Sequence, residues 1–278
     1  MSGVSGTGRV TARQKDLWRI QRALQAAREV LQAFRPGTVR AEWKEGNHLV
    51  TAADRAVDEK LRELLPESGE GWLSEETADD LSRLTKRRVW IVDPLDGTNE
   101  FVAGIPEWAI SVGLVEEGLA VAGGICNPVT GELFLGSLET GVIVNGLPAP
   151  VRSCHRLGEM QVLASRSEVS RGEWDCFHKS PFRVQPVGSV AYKLARVAAG
   201  LADATWTFTP KHEWDVAAGV ALLKASGGVV KTLDGPEPMF NRREPLLNGL
   251  MAFTAASAEA LIAYLKNTAV SKEGFTIG

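Results

Sequence analysis

Between Val10 and Phe34 apolar residues recur at steps of three and four. Leu17, Ile20, Leu24, Ala27, Leu31 and Phe34 therefore share one side of a helix, which Pro36-Gly37 stops. Thr51–Leu65 repeats the pattern, with Val57, Leu61, Leu64 and Leu65 on one face and Pro66 after it. Both stripes read as core-facing. From Val89 the period changes. Val89–Val92 is a short apolar run rich in β-branched residues, which predicts a buried strand. Ala109–Val115, Leu119–Ile125, Glu132–Ser137 and Gly141–Val144 follow as strands, with turn signals at Glu116-Glu-Gly118, Asn127-Pro-Val-Thr-Gly131 and Leu138-Glu-Thr-Gly141. Turns this close predict an antiparallel meander with helices on one side, an α+β layer. Beyond about residue 150 strands (Val162–Ser165, Val184–Pro186, Val229–Thr232, Leu250–Thr254) alternate with helices (Tyr192–Ala199, Val216–Ser226, Ala258–Lys266), an α/β pattern. No Pro/Gly/Ser-rich linker separates the halves. The expected organisation is a flexible tail (1–9), an N-terminal lobe (10–150) carrying the site, and a C-terminal lobe (151–278) completing it across a shared cleft.

Composition narrows the function. Lys and Arg total 31 and Asp and Glu 34, giving a net charge of −3. That is not the basic excess of a nucleic-acid binder, so no nucleic acid polymer is expected as partner. An anionic substrate then needs something other than net charge to attract it, and a bound metal supplies that. Cys126, Cys154 and Cys176 are too few and scattered for a disulfide framework, and Cys154-His155 with Cys176 and His178 fits no usual zinc spacing. Met1–Gly8 lacks the charged start and apolar run of a signal peptide. No stretch reaches the ~18 apolar residues of a membrane span. A cytoplasmic location without a membrane partner is the expectation.

The informative segment is Trp90-Ile-Val-Asp93-Pro-Leu-Asp96-Gly-Thr98. A buried strand runs into two aspartates, Pro94 fixes the backbone between them, and Gly97 permits a tight turn. Paired carboxylates at a strand end are costly until a cation neutralises them, and a hard ion such as Mg2+ takes such oxygens. A helix starting at Gly97-Thr98 would offer free N–H groups as a phosphate seat. Taken alone, Asp-x-x-Asp-Gly is also a common turn. Glu75, after the apolar pair Trp72-Leu73, and Asp215, opening the apolar run Val216–Leu223, add two more carboxylates. The step of three between Asp93 and Asp96 excludes the Asp-x-Asp nucleophile pattern, and neither an EF-hand loop nor a nucleotide-binding glycine motif is present.

Asp93-Pro-Leu-Asp96-Gly-Thr98, preceded by Glu75-Glu76 and followed by Trp214-Asp215-Val-Ala-Ala-Gly219, resembles the inositol monophosphatase superfamily over roughly residues 10–266. The resemblance implies a layered α-β-α-β-α sandwich and a phosphatase using two or three Mg2+ ions, often lithium-sensitive and usually homodimeric. It implies Glu75, Asp93, the Leu95 carbonyl, Asp96 and Asp215 as metal ligands. Thr98, oriented by Asp54, would position the attacking water with Glu75. Gly97 and Thr98 amides would hold the phosphate of a small phosphorylated substrate. The family's inositol-binding Glu, seven residues before the aspartate of Trp214-Asp215, is Phe208 here. Gly188-Ser189-Val-Ala-Tyr-Lys193 and Ala164-Ser-Arg166-Ser instead resemble the 3'(2'),5'-bisphosphate nucleotidase branch, although that branch's His is Glu168. Ser189, Lys193, Arg166 and Lys211 are accordingly the candidate substrate residues, with His212 beside them. The favoured expectation is a nucleotidase converting 3'-phosphoadenosine 5'-phosphate to AMP. The alternatives are an inositol or sugar phosphatase, and a pseudo-phosphatase that only binds. A family Asp is replaced by Gly46.

Overall fold

A computed structural model describes residues 11–38, 41–44 and 48–268; the 1–9 tail and Gly46 lie outside them. Helix α1 (Ala12–Leu31) opens on a capping box in which Thr11 and Gln14 satisfy each other's backbone N–H groups. A hairpin of β1 (Ala41–Lys44) and β2 (His48–Thr51) leads into α2 (Ala52–Leu64), again with a capping box, between Thr51 and Asp54. Then follow β3 (Gly71–Ser74), β4 (Arg88–Asp96), α3 (Thr98–Ala103), β5 (Ala109–Glu116), β6 (Leu119–Asn127), β7 (Glu132–Ser137), β8 (Gly141–Val144) and β9 (Leu147–Pro148). The chain continues through β10 (Gln161–Ser165), α4 (Arg166–Ser170), β11 (Arg183–Val187), α5 (Val190–Ala198), β12 (Ala204–Thr207) and β13 (Lys211–His212). It ends with α6 (Glu213–Ala225), β14 (Val229–Lys231), β15 (Leu246–Leu247), β16 (Leu250–Phe253) and α7 (Ala258–Asn267).

Strands β3 to β9 form one seven-stranded sheet in chain order. Only β3 runs parallel to its neighbour; the rest is the predicted meander. The helices lie on both faces of that sheet rather than on one. Strand β4 shows why: Trp90 and Val92 pack with α1 and α2, whereas Val89 and Ile91 pack with α5 and α6. A strand covered twice has no polar face, so its apolar run is continuous. Helix α6 lies close on β5 and β6. A Cβ at Gly113 would stand 2.9 Å from Ala217, and one at Gly123 would stand 2.4 Å from the Ala218 carbonyl oxygen. Glycine at those positions lets the helix backbone approach the sheet.

The second sheet has the order β11-β10-β12-β16-β14, with β10 parallel to β11 and β12. Leu163 and Ala252 face α5 and α6; Val162, Ala164, Met251 and Phe253 face α7 and an aromatic cluster of Trp174, Phe177, Phe182 and Trp206. The layers are therefore helix, sheet, helix, sheet, helix. Every helix and strand expected from periodicity is present within a few residues of its expected ends. The hairpin β1–β2, strand β12 and the short strands β13 and β15 were not expected.

Candidate active site

Strand β4 pairs with β5 residue by residue up to Asp93–Ser111, then slips so that Asp96 faces Ala109. Pro94 has no N–H to contribute there, and the bulge turns the strand end away from the regular ladder. Asp93 accepts from the Leu95 N–H at 2.9 Å, and both aspartates line one cavity of about 400 Å³. Gly97 follows at φ 100°, and a Cβ there would meet Trp108 at 3.0 Å. Its left-handed turn starts α3 with no side-chain cap, so Gly97, Thr98 and Asn99 line the cavity with amides that the helix does not use.

Thr98 Oγ1 lies 3.2 Å from both Asp54 Oδ1 and the Leu95 carbonyl oxygen. Asp54 is held in turn by the Thr51 N–H and hydroxyl at 2.9 and 2.5 Å, and burial raises its pKa. Glu75 enters from the end of β3. Its turn is pinned by buried Asp58, which accepts from Ser74 Oγ at 2.5 Å and Thr77 Oγ1 at 2.6 Å. Asp215 sits in the first turn of α6, where its Oδ2 accepts from the His212 N–H at 2.9 Å. Glu213 anchors that turn by accepting the Asn241 and Arg242 N–H groups at 2.7 and 2.9 Å. Asn241 also accepts from Arg83, which is fully buried.

Glu75, Asp93, Asp96 and Asp215 all line this cavity. Burial raises the Asp93 pKa well above its ordinary value, and Glu75, Asp96 and Asp215 push it further. Burial, then the Asp96 charge, brings Asp215 up to about 7. With the Leu95 carbonyl, this is an all-oxygen donor set suited to a hard divalent cation, and one that a cation would relieve. Among the described residues no three Asp, Glu, His or Cys side chains are drawn into a closed metal cage. The carboxylates share a cavity wall, and Mg2+ fits their chemistry.

The four candidate substrate residues all line the cavity, but three are engaged by other protein groups. Lys193 is buried, and its Nζ donates to the Ser189 and Val187 carbonyls at 2.9 and 3.2 Å; burial lowers its pKa to about 8. The ammonium props the Gly188-Ser189 turn. Ser189, at φ 55°, donates to Asp96 Oδ2 at 2.6 Å, and the Ala191 N–H reaches the same oxygen at 2.6 Å. Asp96 thus caps α5 with one oxygen and keeps the other for the cavity. Arg166 pairs with Glu107 Oε2 at 2.6 Å, which also accepts the Gly188 N–H. Lys211 lies near Asp215 and Lys193. His212 stacks on Trp214 with centroids 4.3 Å apart. Glu168 is buried under the cavity, accepting from Trp174 Nε1 at 3.0 Å and from Thr207 Oγ1. Phe208 packs on Trp174 and Phe177 and does not line the cavity. Cys154 and Cys176 belong to no metal cluster among the described residues.

Residues 14–268 match the model of the inositol monophosphatase family. The inositol-1-monophosphatase of Mesorhizobium japonicum is 32% identical over 232 residues, covering 80% of this chain and 86% of that protein. Among solved structures, the extragenic suppressor protein suhB of Bartonella henselae superposes with a TM-score of 0.76 at 26% identity, over 95% of this chain and 100% of that one. CysQ of Bacteroides thetaiotaomicron, a bacterial member of the inositol monophosphatase family, gives 0.73 at 26% identity over 87% and 98%.

Proposed function

The chain belongs to the inositol monophosphatase family, and we propose that it is a Mg2+-dependent phosphomonoesterase acting on a small phosphorylated metabolite. Members of this family are phosphatases and generally depend on Mg2+. The observation that carries the reading is the meeting of Glu75, Asp93, Asp96 and Asp215 on one cavity beside the Thr98–Asp54 pair. Bound Mg2+ supplies charge neutralisation, an acidified water and stabilisation of the leaving oxygen. The protein's own part is placement. Glu75, Asp93, Asp96, Asp215 and the Leu95 carbonyl hold the ions. The Gly97 and Thr98 amides receive the phosphate oxygens. Thr98, held by Asp54, orients the water with Glu75 so that it attacks opposite the leaving group.

The substrate is read as a hydroxylated metabolite bearing one phosphate, whose alcohol is the leaving group. Supporting this, Lys193 and Arg166, the cations that would receive a second phosphate, are already engaged by backbone carbonyls and by Glu107. Relatives named inositol-1-monophosphatase point the same way. The second reading is the bisphosphate nucleotidase, favoured by the Gly188-Ser189…Lys193 element on the cavity wall and by the Phe208 departure. We also infer two lobes, 10–150 and 151–278, meeting at this cavity, and a homodimer, which sedimentation would check. The functional test is phosphate release from inositol 1-phosphate, 3'-phosphoadenosine 5'-phosphate and fructose 1,6-bisphosphate, with Mg2+ and with EDTA. Turnover that requires Mg2+ is the expected result. Absence of turnover on all three, or turnover indifferent to EDTA, refutes the reading.

A further inference from the structure

Glu100 lines the same cavity and belongs to none of the groups assigned above. It is the third residue of α3, two positions after Thr98. Its side chain runs across the Cα of Gly188: a Cβ built there would stand 2.5 Å from Glu100 Cγ and 2.6 Å from Cδ. Glycine at 188 therefore makes room for this stem. The carboxylate ends among the charges of Asp96, Lys193 and Arg166, and burial, followed by Asp96, raises its pKa.

What sets Glu100 apart is its hydrogen-bond inventory. Asp54 is spent on Thr51 and Thr98, Glu107 on Arg166 and Gly188, and Glu168 on Trp174 and Thr207. Among the described residues, Glu100 accepts only from its own backbone N–H. A carboxylate offers about four acceptor sites, and a half-buried one with sites unfilled gains most from a ligand that brings donors. The chemistry restricts that ligand. A second phosphate would be repelled by Glu100. An ammonium would compete with Lys193 and Arg166, which already face it. A neutral hydroxyl meets neither obstacle.

Resting on the phosphomonoesterase reading, we propose that Glu100 determines specificity by accepting a hydrogen bond from a leaving-group hydroxyl next to the esterified one. The position is suitable because Glu100 shares a three-residue stretch with Thr98, so the group it reads lies beside the phosphate seat. It also fills a gap, because Phe208 is packed into the aromatic cluster and presents no acceptor.

Two matched pairs of esters test this: adenosine 3'-phosphate against 2'-deoxyadenosine 3'-phosphate, and inositol 1-phosphate against cyclohexyl phosphate. The readout is the ratio of kcat/KM within each pair. The wild-type chain should favour the hydroxylated member of at least one pair by roughly tenfold to a hundredfold, the scale of one hydrogen bond to a buried charged group. Glu100→Ala should bring that ratio close to one, and Glu100→Gln, which keeps the volume, should give an intermediate ratio. A Mg2+-induced rise in Tm in each variant establishes that it is folded. A wild-type ratio near one in both pairs, or variants that slow both members equally, overturns the proposal while leaving the phosphatase intact. Absence of Mg2+-dependent turnover on all four esters overturns the phosphomonoesterase reading and the role of Glu100 with it.

Discussion

Replacing Asp215 with Asn removes one charge from the carboxylate wall and keeps the side chain's shape. In the cation-free protein burial and the neighbouring Asp96 raise the Asp215 pKa from 3.8 to about 7. A rise of about three units corresponds to ~4 kcal/mol of destabilisation once the group is ionised in both folded and unfolded states. The sign follows from the order of titration. Below 3.8 the carboxyl is protonated in both states and costs nothing. Between 3.8 and about 7 only the unfolded chain releases the proton, so stability falls as pH rises, and above about 7 the full penalty stands. Asn keeps the cap, since its amide oxygen can still accept from the His212 N–H, now 2.9 Å from Oδ2. Its NH2 group needs partners in the site, at a cost of about 1–3 kcal/mol where they are missing. The net gain is ~2 kcal/mol, or about 5 °C in Tm for a chain of this size. Thermal unfolding in EDTA at pH 8, 6 and 4 measures it. The variant should melt above the wild type at pH 8, with the gap closing toward pH 4. Adding Mg2+ should reverse the order, because wild type gains ~2.7 kcal/mol at a hundred times its Kd and the variant gains less. Phosphatase activity should fall steeply. An Asp215→Asn protein that melts below wild type in EDTA at pH 8 would refute the idea that this carboxylate is held at a cost for a cation.

Three further outcomes follow from other parts of the molecule. Burial opposes ionisation of Glu70, but hydrogen bonds from Arg19, Trp90 and the Glu67 N–H hold its pKa at about 2. Its stabilising contribution is complete above pH 4.5 and is lost as pH falls toward 2; discounted for the partial exposure of Arg19 and Arg88 it is ~2 kcal/mol, so the urea-unfolding deficit of Glu70→Gln should shrink over that window. Gly123→Ala drives a methyl to 2.4 Å from the Ala218 carbonyl oxygen and should cost about 2–3 kcal/mol by the same measurement; a cost near zero would mean that α6 is not seated on β6 as described. Thr98→Ala should lower kcat by about a hundredfold or more while the Mg2+-induced Tm rise persists, and an unaffected kcat would remove Thr98 from the reaction.

Most of the architecture was legible because it follows from hydrophobic period. The stripe Leu17, Ile20, Leu24, Ala27 and Leu31 is the buried face of α1, and the strands of the meander lie where turn signals placed them. The two-sided covering of the first sheet was misjudged, although the unbroken apolar run at Val89–Val92 already carried that information. The hairpin at β1–β2 has no strong local pattern, and Ala204–Thr207 is too short to show one. In the site, spacing singled out the carboxylates because two acids at a strand end are conspicuous. Asp58, Glu107 and Glu213 were invisible, since each acts by accepting from groups distant in sequence, as Glu213 does from Asn241 and Arg242. The bonds of Lys193 were invisible for the same reason: they depend on the carbonyls of Val187 and Ser189, which only the fold brings to its ammonium.

The net charge of −3 leaves open how an acidic chain receives an anion. The cavity answers by separating its charges. One wall gathers Glu75, Asp93, Asp96 and Asp215, which two divalent ions would neutralise. The other gathers Lys193, Arg166 and Lys211 with Glu100 among them. Asp96 joins the two walls, because the oxygen that caps α5 through Ser189 and Ala191 sits on the same carboxylate as the one left for a cation. Lys193 fixes the Ser189 carbonyl from below, so its positive charge reaches the site through the turn it holds. Removing that lysine would therefore disturb the cation wall before it disturbed substrate contact. Loss of Mg2+ affinity in Lys193→Met that exceeds any rise in KM for substrate is the expected result. A selective rise in KM would instead make Lys193 a direct substrate contact and restore the nucleotidase reading.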